Sequence, residues 1–123
     1  MRYLLLIYHN PASQEVWKGF SDDERDEGLR YYAALVAELA ASGELVASEA
    51  LADPSQAKRV AVHDGRTITS DGPFAEAKEL LAGFFLLEVD SERRAVEIAA
   101  RVPEAQLGLV EVRPVLQLGG LEM

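Results

Sequence analysis

An α+β sandwich built on an antiparallel sheet is predicted by three features of these 123 residues. Two long segments carry a three-to-four residue apolar repeat, six short runs carry strand patterning, and an Asp-Gly pair marks a tight turn between two of those runs. The signals follow one another in the order β-α-β-(ββ)-β-α-β, with no long linker and no internal repeat. Two helices on an antiparallel sheet then favour a ferredoxin-like arrangement.

The first strand is "RYLLLIY", positions 2 to 8, which is apolar on both alternating faces and so reads as a central strand covered on both sides. A Pro-containing loop follows. Ser21 and Glu24 have capping-box spacing, Leu29, Tyr32, Val36 and Leu39 recur on one face, and Gly43 supplies a stop, which predicts a helix from about 22 to 42. "ELVASEAL" supplies a short strand. "KRVAV" and "HDGRTIT" form a hairpin centred on Asp64-Gly65, a pair that tolerates the positive φ of a type I′ turn. "LAGFFLLEV" is a second strand with two apolar faces. "DSERRAVEIAARV" gathers Ala95, Ile98, Ala99 and Val102 on one helical side and stops at Pro103, and "LVEVRPV" alternates as a final strand. One domain over residues 1–116 accounts for the pattern, with 117–123 as a C-terminal tail.

Two helices cover one sheet face. On the first strand Tyr3, Leu5 and Ile7 oppose Leu4, Leu6 and Tyr8, and on the fifth Phe85, Leu87 and Val89 oppose Phe84 and Leu86, so the second face also calls for cover. A homodimer with two sheets face to face would provide it, at roughly 25 cal/mol per Å² of apolar area buried. A ligand pocket over the open face is the other solution.

Composition narrows the function classes. The chain is 49% apolar and 27% charged, as a globular domain is, and its formal charge of −9 disfavours direct nucleic-acid contact and anionic membranes. It contains no cysteine, which excludes a disulfide, a thiolate nucleophile and a Cys-ligated zinc site, and fits a cytoplasmic location. "MRYLLLIYHN" reads as a strand and not as a signal peptide, because Pro11 and Trp17 follow without a cleavage pattern. Two separated histidines, and the lack of a Gly-rich nucleotide loop, a serine elbow or an HExxH helix, lead us to expect neither cofactor nor metal.

The least ordinary stretch is "SDGPFAEAKELLAGFF". Pro73 disfavours helical geometry at Gly72, so the chain turns there before a helical "FAEAKELL" segment that Asp71 is placed to cap. Asp71 has a second reading, as a ligand contact or proton-transfer group. The candidate pocket is lined by Tyr8, Tyr32, Asp71 and Phe74, with His9 and Lys78 at its rim. As a catalytic set, Asp71 would be the base, Tyr32 or His9 would orient or protonate the substrate, and Lys78 would stabilise developing negative charge. Tyr32 also lies on the apolar side of its helix, where a core role competes, and His63 precedes a hairpin turn and reads as surface structure.

It is this corner, with "YLLLIY", "LLEVDS" and "VEVRPV", that resembles the YCII-related family, in the branch marked by the DGPF motif. The resemblance covers nearly the whole chain. It implies a ferredoxin-like subunit in a dimeric α+β barrel, and no characterised reaction for that branch. Members nearer the family's namesake carry a proposed His-Asp pair whose histidine precedes the glycine ending the first helix, and counting back from Gly43 puts that position on Tyr32. Tyrosine, with its pKa of about 10, does not replace histidine as a base at neutral pH, and the alignment does not assign the aspartate to Asp71. Relatives also resemble partners of extracytoplasmic-function sigma-factor systems. The resulting expectation is a small-molecule-binding or accessory dimer taking a small polar-aromatic ligand. The alternatives are a cofactor-independent acid/base enzyme, or a transcription-linked module presenting its acidic exterior to a regulatory protein.

Overall fold

Alternation along the first strand decides which side of the sheet becomes the core. In β1 (Arg2–His9), Tyr3, Leu5 and Ile7 are buried, whereas Leu4, Leu6 and Tyr8 on the opposite face stay partly exposed. The computed structural model describes residues 1–74 and 78–117. β1 pairs with β5 (Leu80–Glu88) in a register that sets Tyr3 across from Leu87 and Leu5 across from Phe85 on the core side, and Leu4 across from Leu86 and Leu6 across from Phe84 on the other. β2 (Leu45–Ala50) adds to the outer side of β5, and β6 (Val110–Pro114) to the outer side of β1. The order β2-β5-β1-β6, antiparallel at every step, is the ferredoxin-like one.

Two helices cover the core face. Counting in chain order, the longer is α2 (Asp22–Ala41), opened by the Ser21–Glu24 capping box and burying Leu35 and Leu39. α3 (Glu92–Ala99) starts where the Ser91 hydroxyl accepts the Arg94 N–H, and buries Ala95, Ile98 and Ala99. It ends earlier than the apolar pattern implies. Val102 is still buried, but Pro103 opens a 3-10 turn running to Leu107. The stretch expected to be a loop after β1 contains α1 (Pro11–Lys18), an eight-residue helix. Asn10 caps it, exchanging hydrogen bonds with Ser13, and Pro11 occupies the first turn, where its missing N–H costs nothing. None of its residues is buried. Arg25 of α2 holds its C-terminal end, donating to the Trp17 and Lys18 carbonyls with its guanidinium 5.6 Å from the Trp17 ring centre.

β3 (Lys58–His63) and β4 (Arg66–Asp71) form the expected hairpin, with Asp64 at φ 50° and Gly65 at φ 75° in the turn. The hairpin is a separate two-stranded sheet with every strand residue exposed.

Two expectations are corrected. The sheet is not closed into a barrel: β2 and β6 are its opposite edges and do not pair, whereas closure requires the edge strands to join. The dimeric α+β barrel therefore gives way to an open four-stranded sheet beside a hairpin. The predicted "FAEAKELL" helix also fails where it can be followed, although residues 75–77 lie outside the described residues. Lys78 and Glu79 form a bend and Leu80 already pairs with His9, because the apolar run is long enough to reach the end of β1 as strand. No helix among the described residues is long and apolar enough to cross a membrane.

Charged contacts tie α3 and the segment after it to the sheet edge and to α2. Arg94 of α3 grips Glu44, just before β2, through Nε at 2.7 Å and a second guanidinium nitrogen at 2.9 Å, and Arg101 pairs with Glu38 of α2. The Arg94 hydrogen bonds outweigh desolvation and push the Glu44 carboxyl down to about 2.

Three measurements check this scaffold. A Cβ on Gly83 would stand 2.8 Å from the Glu49 carbonyl oxygen of the neighbouring strand, so Gly83→Ala should destabilise by about 1 to 3 kcal/mol in urea unfolding. Gly28, inside α2, has room for a methyl, the nearest atom being Trp17 Cζ3 at 4.0 Å, so Gly28→Ala should stabilise by roughly 0.5 to 1 kcal/mol. Because the folded Glu44 pKa lies below its unfolded value, the pair's stabilisation is complete above the ordinary glutamate pKa and is lost as pH falls towards about 2. The stability difference between the wild type and Glu44→Gln should therefore be largest near neutrality and shrink across that acid range.

Candidate functional site

The two tyrosines expected in one pocket lie on opposite faces of the sheet. Tyr8 is on the open face, where its hydroxyl donates to Glu111 Oε1 of β6 at 3.0 Å, and burial followed by the Glu111 carboxylate raises its pKa. Tyr32 projects from α2 into the core layer, with its ring edge-on to Phe85 at 6.5 Å between centres. Its hydroxyl donates to Glu104, in the 3-10 turn after α3. Burial first, then that carboxylate, pushes the Tyr32 hydroxyl far above its usual range, so it holds its proton at any physiological pH.

The corner residues gather around the base of the hairpin. Asp71 closes β4 directly opposite Lys58, and its largely exposed carboxylate accepts from Lys58 Nζ. Gly72, at φ 83°, donates its N–H to the Ala57 carbonyl at 2.8 Å and so pins the two ends of the hairpin together. Phe74 is exposed, with the Arg59 guanidinium 4.8 Å from its ring centre. Lys78 is exposed in the bend before β5, and His63 is at the hairpin tip, opposite Arg66.

His9 stands apart from these. It is the last residue of β1 and pairs with Leu80, beyond a register irregularity between Ile7 and Tyr8, the kind of irregularity that re-aims side chains at strand ends. Its Nε2 is shut off from solvent and has no hydrogen-bond partner among the described residues. Leu80 and Leu81 floor a cleft of about 360 Å³ whose other walls include Leu51, Asp53, Pro54 and Pro73. Asp53 caps the 3-10 turn Pro54–Gln56 by accepting the Ser55 N–H at 2.9 Å. That bond chiefly holds its carboxyl below the usual range, and a smaller share comes from the nearby His9 charge. An imidazole nitrogen kept from water, a carboxylate within electrostatic reach, and mostly apolar walls thus meet at one end of the sheet. An imidazole so placed can accept or donate a proton, according to its tautomer.

Sequence reasoning named His9 and missed Asp53. The signal available was Asp53-Pro54, a turn-initiating dipeptide with the aspartate in capping position, but it lies 44 residues from His9, and only the fold brings the two together.

A family model for the YCII-related domain matches residues 1–119. An uncharacterized protein of Rhizobium meliloti (strain 1021) is 32% identical over 116 residues, covering 93% of this chain and 91% of that protein. Among solved structures, 5-chloro-2-hydroxyhydroquinone dehydrochlorinase of Burkholderia phenoliruptrix, in complex with 2,5-dihydroxybenzoquinone, aligns over 95% of both chains with 16% identity and a TM-score of 0.47. A likeness at that level transfers nothing of the enzyme's chemistry to this chain.

The Tyr32–Glu104 contact is open to direct measurement. Removing the hydroxyl leaves a partly buried carboxylate without its donor, so Tyr32→Phe should lower stability by about 1 to 3 kcal/mol in thermal or urea unfolding. The loss should shrink in the double variant Tyr32→Phe/Glu104→Gln, which removes the stranded charge.

Proposed function

The chain belongs to the YCII-related family, and we propose that it is a small-molecule protein whose cleft performs cofactor-independent acid/base chemistry with His9 as the proton-transfer group. The observation that carries this reading is the His9 Nε2, withheld from solvent and without a partner among the described residues, beside an apolar cleft that also holds Asp53. Leaving a buried polar nitrogen unpaired costs stability, and a ligand that supplies the missing partner recovers it.

The cleft selects the ligand by its chemistry. Walls of leucine and proline suit a compact, mostly apolar body, and the unpaired His9 nitrogen, on the residue that pairs with Leu80 of the floor, suits one acidic O–H or N–H group. Small polar aromatics fall in that class. In the proposed step the ligand's O–H or N–H bond breaks and Nε2–H forms, while the bonding electron pair stays on the ligand. The imidazolium is then stabilised by the Asp53 carboxylate, and no further reactant is required. Of the Asp71-Gly72-Pro73-Phe74 corner, Pro73 is part of the wall. Placement in the DGPF branch belongs to this proposal and is supported by the Asp71-Gly72-Pro73-Phe74 motif itself.

The chain has only two histidines, so imidazole NMR signals give a direct test with His63 as the internal control. The probe is 4-nitrophenol, whose absorbance also reports where its proton lies. Saturable movement of the His9 signals with His63 unmoved, and a shift of bound probe towards phenolate, is the expected result. His9→Gln should abolish both effects, and Asp53→Asn should keep binding but reduce the phenolate fraction. Equal movement of the two histidines, or probe binding that survives His9→Gln with the same spectrum, would sink the proposal.

A further inference from the structure

On the outer surface of the helical layer, the N-terminal half of α2 runs beside the segment that follows α3 and leaves a groove of about 410 Å³. Phe20, Glu24, Glu27, Gly28 and Tyr31 line it from α2 and the residues just before it, and Arg101 lines it from the facing segment. This groove is remote in the fold from the His9 cleft: it is walled by helix and turn, whereas that cleft sits where β1 and β5 end.

Most of its polar groups are already engaged. The Glu24 carboxylate accepts the Ser21 N–H in the capping box, the Arg101 guanidinium is paired with Glu38, and the Tyr31 hydroxyl donates to the Arg101 carbonyl at 2.7 Å. Glu27 makes no hydrogen bond or ion pair with the other described residues. With Arg101 neutralised by Glu38, the lining carries net negative charge and two aromatic side chains, Phe20 and Tyr31. Opposite charge and an aromatic face are the two features that recognise an organic cation.

Gly28 adds an independent observation. It has none of the positive φ values that require glycine, and a Cβ there would make only an ordinary contact with Trp17 Cζ3 at 4.0 Å. Neither backbone geometry nor packing demands a glycine inside this helix, where glycine is the poorest ordinary helix former. Its structural consequence is a stretch of groove lining with no side chain, against which a flat body can approach the helix backbone.

We propose that this groove is a second binding site, for a small organic cation made of an ammonium group on a flat apolar body. The ammonium pairs with Glu27 and the body lies over Gly28 between Phe20 and Tyr31.

The probe is phenethylamine, compared with its neutral isostere phenethyl alcohol and with the anion phenylacetate, by amide NMR on the intact chain. Saturable shifts should appear at residues 24–31 and 100–106, with the alcohol and the anion at least about tenfold weaker. Glu27→Gln should erase the preference for the amine, and added salt should weaken amine binding. Gly28→Leu fills that stretch of lining while favouring the helix, so it should melt no lower than wild type and lose binding. Unchanged binding in folded Gly28→Leu, equal affinity for amine and alcohol, or the absence of saturable shifts at tens of millimolar amine would each overturn the proposal.

Discussion

The central pairing of β1 with β5 is the contact on which the rest of this structure depends. It joins residues 2–9 to residues 80–88, and from Tyr3–Leu87 to Leu6–Phe84 it places two largely apolar side chains opposite one another. Leu5 and Leu87 are completely buried on the helical side, where Leu35 and Leu39 of α2 and Ile98 and Val102 beyond them meet the same layer. Side chains in a strand alternate strictly, so a slip of one residue would turn Leu5 and Leu87 outward and face α2 with the opposite set. Both helices therefore owe their docking to one register, and β2 and β6 can only be edges because the two strands between them are already committed to each other.

Around that core the chain uses its charges sparingly. An excess of acidic residues, expressed as the formal charge of −9, would by itself oppose compaction, yet the ion pairs that matter are arranged at junctions. Glu44–Arg94 joins the start of β2 to α3, and Glu38–Arg101 joins α2 to the turn after α3. Tyr31 and Tyr32 reinforce the same seam through the Arg101 carbonyl and the Glu104 carboxylate. Polar groups that a list of reactive residues would single out are here spent on holding two helices at a fixed spacing.

That economy separates scaffold from chemistry. Tyr8, Tyr32 and Asp71 each satisfy a partner within the fold, whereas the Nε2 of His9 does not. The histidine sits where regular pairing stops: the β1–β5 register shifts after Ile7, and the hairpin leaves the main sheet between Ala57 and Gly72. A sheet end of this kind supplies a rigid floor without enough neighbouring backbone to fill the space above it. A cleft beside an unsatisfied nitrogen is a natural product of that geometry, and the proposed chemistry uses it.

The amino-acid sequence on its own determined those features that short-range physics controls. Two-sided apolar alternation in "RYLLLIY" and "LAGFFLLEV" announced the central strands, Ser21 and Gly43 bounded the long helix, and Asp64-Gly65 announced the hairpin. α1 was legible too, in the Asn10–Ser13 spacing and Pro11, but Pro11 also permits a loop, and a helix with no buried face leaves no periodic imprint. The barrel that the family resemblance implied is not what the sheet forms: apolar character says that a face wants cover and not which strands pair, and the open order β2-β5-β1-β6 is a property of the whole sheet. Bringing His9 to Asp53, and sending Tyr8 and Tyr32 to opposite faces, was likewise decided only in three dimensions. Caps, turns and strand faces are set by residues within a few positions of one another, whereas a site is set by register and crossover between segments tens of residues apart, and no local pattern encodes that distance.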